Sequence, residues 1–164
     1  MFANVKYATL HDTLGFYDVP DEFCNIIMAQ VAGNAFDICT IKGEHFVIDL
    51  RKGIVEGSPI SVLLVGLLLS RFLLLLRSAP SFSDTVVKFP GDAHQAELTL
   101  DSKGWVDDWI VFGSSIPSLE NTLRLWQNVL ATMGWEIHSL KTEFLCASVF
   151  EESLRIGETV ISPQ

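Results

Sequence analysis

An α+β fold, with an antiparallel sheet on one side and helices on the other, is what this sequence predicts. Three observations point to it. Apolar residues recur at helical spacing in two separated windows, and a third window is one long apolar run. Between and after these windows, short segments alternate apolar and polar residues as strands do. Hydrophobic residues make up 49% of the 164-residue chain, which excludes a disordered polymer and is enough for a sizeable core.

Along the chain, Pro20 precedes Asp21 and Glu22, acids suited to a first helical turn. Phe23, Ile26, Ile27 and Val31 follow at helical spacing, and Gly33 closes that helix. Alternation then takes over, with Phe36, Ile38 and Thr40 on one face, a Lys42-Gly43 turn, and Phe46 and Ile48 beyond it. That pattern predicts a β-hairpin. Arg51 to Ser61 reads as a Gly/Ser/Pro-rich loop whose Pro59 suits the first turn of the apolar helix after it. Ser78 to Gln95, with Pro80, Pro90 and Gly91, reads as a long surface loop.

Two short strands are predicted around Asp107-Asp108, one ending in Gly104-Trp105-Val106 and one running from Trp109 to Phe112. Ser114 to Met133 is the clearest helix. Pro117 sits in its first turn, Leu119, Leu123, Trp126, Leu130 and Met133 form a stripe, and Gly134 stands at the stop position. Trp135 and Ile137 then alternate as in a strand. A last pair of short strands is expected around Phe144-Leu145 and Leu154 to Ile161.

Eleven Lys and Arg against twenty Asp and Glu give a formal charge of −9. That balance argues against a self-sufficient nucleic-acid binder, because phosphate affinity comes from cationic side chains. Cys24, Cys39 and Cys146 form no C-x-x-C pair, so free thiols in a reducing compartment are expected. Met1 to Leu14 holds no apolar block, and the expected location is intracellular rather than secreted. The one membrane-like stretch, Ile60 to Leu76, is short for a span and is interrupted by Arg71. A helix buried on nearly all sides of a larger protein is the expected reading, and a small membrane-associated protein is the competing one.

Three pieces could carry chemistry. Asp107 and Asp108 lie between apolar strands, where a charged pair must be solvated or matched by a cation. At a tight turn both carboxylates can converge on one ion, and hard oxygen ligands of this kind suit Mg²⁺; an ordinary Asp-Asp turn fits the same residues. The loop of Arg51, Lys52, Gly53, Glu56, Gly57, Ser58 and Pro59 combines cationic donors, two glycines and a helix N-terminus. It reads either as a phosphate cradle or as a plain connector. Lys141 could meet a phosphate or donate a proton, or be a solvated turn lysine. The four histidines show no metal-ligand spacing.

The order of these pieces resembles the reverse transcriptase domain of non-LTR (LINE-type) retrotransposons. There a loop of the form R-G-V-x-Q-G-x-P-L-S-P opens a hydrophobic helix. A hairpin [FY]-[AV]-D-D, an amphipathic helix and G-L-x-I-N-x-x-K-T-E follow. The matching pieces here are Arg51 to Ser61, Trp105-Val106-Asp107-Asp108, and Gly134 to Glu143, and the resemblance extends over nearly the whole chain. Glu56 stands where the family has glutamine, and Trp105 where it has tyrosine or phenylalanine. Met1-Phe2-Ala3 resembles the tail of the family's first aspartate motif, whose metal-binding acid would then precede Met1. Ala35-Phe36-Asp37 mimics that motif but lies too close to Arg51.

The resemblance implies a partial, N-terminally truncated polymerase palm spanning residues 1–164, which copies RNA into DNA by two-metal nucleotidyl transfer. It implies Asp107 and Asp108 as Mg²⁺ ligands. Arg51, Gly53, Glu56, Gly57, Ser58, Pro59 and Trp105 would line the nucleotide and template, and Lys141 would approach the triphosphate. RNA template, DNA primer and dNTP would be the partners, together with fingers and thumb segments or a flanking endonuclease. With half of the carboxylate clamp, the chain would be inactive alone. A decayed remnant serving as a protein-binding module is the alternative.

Overall fold

Turn chemistry and apolar spacing account for most element boundaries in the computed structural model, which describes residues 4–32, 35–49, 51–55, 58–89, 98–105, 108–145 and 153–162. Met1-Phe2-Ala3, Gly33, Glu56, Gly57, Pro90, Gly91, Val106, Asp107 and Cys146, all singled out above, lie outside the described residues. The class is α+β, with four α-helices and short antiparallel ladders among the described residues. The chain divides into two compact units, Met1–Arg71 and Phe72–Gln164.

The first unit opens with α1 (Tyr7–Phe16), a helix the sequence pattern did not announce. Its buried face is only Leu10, Thr13 and Leu14, too narrow a stripe to stand out by periodicity. The Tyr7 hydroxyl donates to the Val31 carbonyl at 3.4 Å, and burial pushes its pKa up. Helix α2 (Asp21–Ala32) packs against α1 and begins with Asp21 and Glu22 in its first turn, as expected. Its buried residues are Cys24 and Val31, one heptad apart. Phe23 and Ile26, which share the helical spacing read from the sequence, are exposed because they fall off that face.

Strands β1 (Ala35–Cys39) and β2 (His45–Asp49) form the expected hairpin, in register Phe36↔Ile48 and Ile38↔Phe46. Its turn is closed by the Thr40 N–H donating to the Glu44 carbonyl at 2.9 Å, with Gly43 at φ +80°. A side chain is strained at that φ, so glycine is required there.

Helix α3 (Pro59–Ser78) carries the boundary between the units. Its buried residues run Ser61, Leu64, Val65, Leu68, Phe72 and Leu76, one stripe at three-to-four spacing. Val62, Leu63 and Leu74 are exposed, so the helix is not buried on nearly all sides. An α-helix offers one stripe to a small unit, and twelve or more apolar side chains exceed what that stripe can cover. It is long and apolar enough to cross a membrane by length and composition, with 33% of that window buried. The Arg71 guanidinium donates to the Thr13 hydroxyl at 2.9 Å and lies 5.4 Å from the centre of the Phe16 ring.

In the second unit, the long loop expected after Ser78 contains a 3₁₀ turn (Phe82–Thr85) and strand β3 (Val87–Phe89), which pairs with β4 (Leu98–Leu100). Strands β5 (Ser102–Trp105) and β6 (Asp108–Val111) form the next hairpin. Helix α4 (Ile116–Thr132) is capped by Ser115, whose hydroxyl oxygen accepts the Ser118 N–H at 3.3 Å. At its other end Gly134 adopts φ +73°, and the Trp135 N–H donates to the Leu130 carbonyl at 2.9 Å. This closing bond corrects the strand expected at Trp135 to Ile137: the backbone donor serves the helix end, not a ladder.

Phe144 is likewise buried without forming a strand. It joins Leu123, Leu154 and Ile156 in a core cluster covered by Val111, Leu119 and Ile161. The single strand expected over Leu154 to Ile161 is instead a hairpin of β7 (Leu154–Ile156) and β8 (Thr159–Ile161), turned at Gly157 with φ +60°. The Arg155 N–H donates to the Glu120 carboxylate at 2.9 Å, tying β7 to α4. Among the described residues each strand has one partner, so the strands form four two-stranded ladders instead of one continuous sheet. Three of these ladders, β1–β2, β5–β6 and β7–β8, pair across connections of two to five residues, whereas joining ladders would add the entropic cost of closing longer loops.

Two outcomes check this account. Ser115→Ala removes the α4 cap and should lower stability by about 1 kcal/mol in urea denaturation. Unchanged stability would show that the cap contributes nothing. Because the Tyr7 pKa is raised on folding, its contribution is fully present below the unfolded value of about 10 and falls as pH rises through the folded one. Tyr7→Phe should flatten the alkaline loss of thermal stability.

Candidate functional site

The β5–β6 hairpin is the element that presents the carboxylate of interest. The register Trp105↔Asp108 makes a tight hairpin with Gly104 opposite Trp109. A Cβ at Gly104 would collide with the Trp109 indole, so the absence of a side chain there lets the indole lie across the partner strand. The same indole packs edge-on to Trp126 of α4 at 5.3 Å between centroids and to Phe72 of α3 at 6.2 Å. Phe72 and Trp126 complete the cluster at 5.0 Å. Edge-to-face pairs of this kind add about 0.5–1.5 kcal/mol each beyond burial.

The anchored Trp109 immediately follows Asp108, which begins β6 and is exposed. Its carboxylate makes no ion pair among the described residues. At the open end of the hairpin, the Phe112 N–H donates to the Asp101 carbonyl at 3.2 Å. The Asp101 carboxylate accepts the Ser102 N–H at 2.6 Å and faces Arg77 at 3.6 Å. The hairpin is thus held at its base and centre.

Of the residues assigned to this site from sequence, Asp107 lies outside the described residues, and the backbone alone is described for Trp105. Lys141 ends a 3₁₀ turn (Ser139–Lys141) in the same unit, with an exposed side chain. One described carboxylate of the hairpin, Asp108, is a hard oxygen donor of the type Mg²⁺ takes. Among the described residues no three His, Cys, Asp or Glu side chains gather into a metal-binding group. The Asp37 carboxylate of the look-alike Ala35-Phe36-Asp37 is engaged by His45 at 3.0 Å on the β1–β2 hairpin.

The Gly-rich loop belongs to the first unit. The Gly53 N–H donates to the Val5 carbonyl at 2.7 Å with φ +96°, a conformation that favours glycine. Arg51 and Lys52 are exposed, and the Lys52 ammonium donates to the Asn4 side-chain carbonyl at 3.0 Å. Ser58 is half-buried, Pro59 starts α3 as its ring favours, and Glu56 and Gly57 lie outside the described residues. Gly53 thus acts as a backbone hinge tied to the N-terminal segment.

Gly104 and Trp109 are the positioning residues that sequence reading passed over. The signal was present: a two-residue connection between Trp105 and Asp108 sets Gly104 across from Trp109, and a strand glycine marks close approach. No family model, curated protein or solved structure matches this chain.

Gly104→Ala should cost about 1–3 kcal/mol while Trp109 is present, because the new methyl displaces the indole. In a Trp109→Leu background the same change should cost far less. Equal costs in the two backgrounds of a double-mutant cycle would sink the proposed contact.

Proposed function

We propose that the chain is a palm portion of an RNA-directed DNA polymerase of the non-LTR retrotransposon type, carrying a nucleotide loop and a metal-binding hairpin. The observation that carries this reading is an exposed aspartate, Asp108, beginning a strand whose next residue is locked into an aromatic cluster. An unpaired carboxylate on a rigid hairpin is suited to hold a divalent cation, and it falls in the motif order Arg51–Ser61, Trp105–Asp108, Gly134–Glu143. In this proposal the finer architecture is a palm-like antiparallel sheet with helices on one face. RNA template, DNA primer and dNTP are the partners, and fingers and thumb segments complete the enzyme.

The chemistry that bound Mg²⁺ would supply is charge stabilisation at the attacking and leaving oxygens of an in-line displacement. The protein's share is positional. Asp107 and Asp108 hold the cation, the backbone around Gly53 to Pro59 packs against the nucleotide, and Lys141 offers a cation to the triphosphate. Glu56 places an anion where the family has an amide donor, which weakens nucleotide binding. A second reading, a non-catalytic module that binds protein, is favoured by the exposed cross-strand pair Ile38 and Phe46 of the β1–β2 hairpin.

Mn²⁺ binding followed by electron paramagnetic resonance tests the hairpin. The double variant Asp107→Asn/Asp108→Asn should lose about tenfold or more in affinity, and unchanged binding would remove the metal assignment. The isolated chain should show no primer extension on an RNA template with Mg²⁺ or Mn²⁺. Two-metal catalysis uses carboxylates from separate strands to hold ions about 3.5–4 Å apart, and the motifs supply only the Asp107-Asp108 pair. Extension that disappears in Asp107→Ala would instead identify a competent polymerase.

A further inference from the structure

The β1–β2 hairpin is uncovered on both of its faces. Every side chain described in its two strands is exposed, and these include Ile38, Phe46 and Val47, the last at 69%. A ribbon of two five-residue strands with neither face packed is marginal in water. Among the described residues β1 and β2 pair only with each other, so each strand also has an outer edge of backbone donors and acceptors.

The turn fixes which backbone groups lie on each edge. The Thr40 N–H donates to the Glu44 carbonyl at 2.9 Å, so these two residues are a hydrogen-bonded pair. Antiparallel ladders alternate bonded and non-bonded pairs. Ile38↔Phe46 and Phe36↔Ile48 are therefore bonded, while Cys39↔His45, Asp37↔Val47 and Ala35↔Asp49 are not. The N–H and C=O groups of His45, Val47 and Asp49 thus point outward along β2, and those of Ala35, Asp37 and Cys39 point outward along β1. The two edges differ in what they can pair with. A two-fold axis at Val47 sets two β2 strands antiparallel, with Val47 opposite its own copy, His45 opposite Asp49, and Phe46 opposite Ile48. All three outward residues then fall in bonded pairs, and the flanking pairs are a basic residue with an acid and an aromatic with a β-branched residue, both favourable kinds. The same operation on β1 centres on Asp37 and opposes like charges, which is destabilising.

We propose that β2 pairs with the β2 strand of a second copy of this chain, giving a two-fold dimer with a continuous four-stranded sheet in the order β1-β2-β2-β1. Each of the three outward residues exchanges two backbone hydrogen bonds with its opposite residue. The contact is isologous, so it closes at two copies. Asp37, at the centre of the edge that remains, blocks further strand addition. The proposal rests on the protein-binding reading of this hairpin, whose partner it names, and it requires neither Asp108 nor the Gly-rich loop.

The test is sedimentation equilibrium of the full chain without metal, at a salt concentration that screens the repulsion between two chains of charge −9. A monomer–dimer equilibrium that stops at two copies is expected. Val47→Lys and Val47→Asp should each weaken the dimer about tenfold or more, because the two-fold sets each new charge against its own copy. An equimolar mixture of the two variants should restore it, since lysine then faces aspartate. Val47 is exposed, so both changes are compatible with the folded monomer, and circular dichroism confirms this. A chain that stays monomeric up to about 1 mM overturns the proposal. So does a mixture that fails to restore the dimer. A dimer that survives Val47→Lys but is lost in Ile38→Lys overturns the edge pairing while leaving the hairpin as a protein-binding element; a dimer indifferent to both changes overturns the two together. With no metal present, none of these outcomes bears on the Mn²⁺ result at Asp107 and Asp108.

Discussion

The Trp109 indole fills the space that Gly104 leaves empty and packs edge-on against both Phe72 and Trp126. The hairpin that bears Asp108 has only four residues in each strand, and an isolated two-stranded ribbon of that length is marginal in water. Packing one of its side chains into an aromatic cluster with α3 and α4 converts it into part of a core. The geometry of Asp108 therefore depends on a residue that carries no chemistry itself. The same helix α4 receives β7 through Leu123, Leu154 and Ile156, so one amphipathic helix organises two hairpins. Its N-cap at Ser115 and left-handed Gly134 define its two ends.

The first unit rests on a different constraint, a guanidinium in an apolar helix. Arg71 sits among leucines, where an unmatched charge is expensive. Helix α1 answers that cost by presenting the Thr13 hydroxyl and the Phe16 ring to it. Thr13 in turn donates to Thr9, so the polar contact is relayed into the α1 backbone. This gives a packing role to a helix whose own apolar face is only three residues wide. It also explains how an arginine can interrupt the most hydrophobic stretch of the chain within a folded unit.

A carboxylate on the hairpin is matched to a cation. The net charge of −9 makes broad attraction of polyanions unfavourable, so any phosphate recognition must be local and short-ranged.

From sequence alone, residues with strong local chemistry could be read correctly. The α+β class, α2 to within a residue or two, the β1–β2 hairpin around Gly43, the Pro59 start of α3, the α4 cap region and the β5–β6 pairing all follow from short-range rules. Candidate Asp108 was legible for the same reason, as an acid between apolar strands. Helix α1 was not legible, because three core residues give no periodic signal. Trp135 read as a strand because alternation cannot reveal that its N–H is taken by Leu130. Phe23 and Ile26 share the helical spacing of Val31 yet are exposed, because periodicity finds an apolar face without saying what covers it. The anchoring of Trp109 on Gly104 and the Arg71 contact with Thr13 were decided only in three dimensions. Each joins or compares groups whose surroundings are set by packing, and packing brings together side chains that local sequence rules treat as independent.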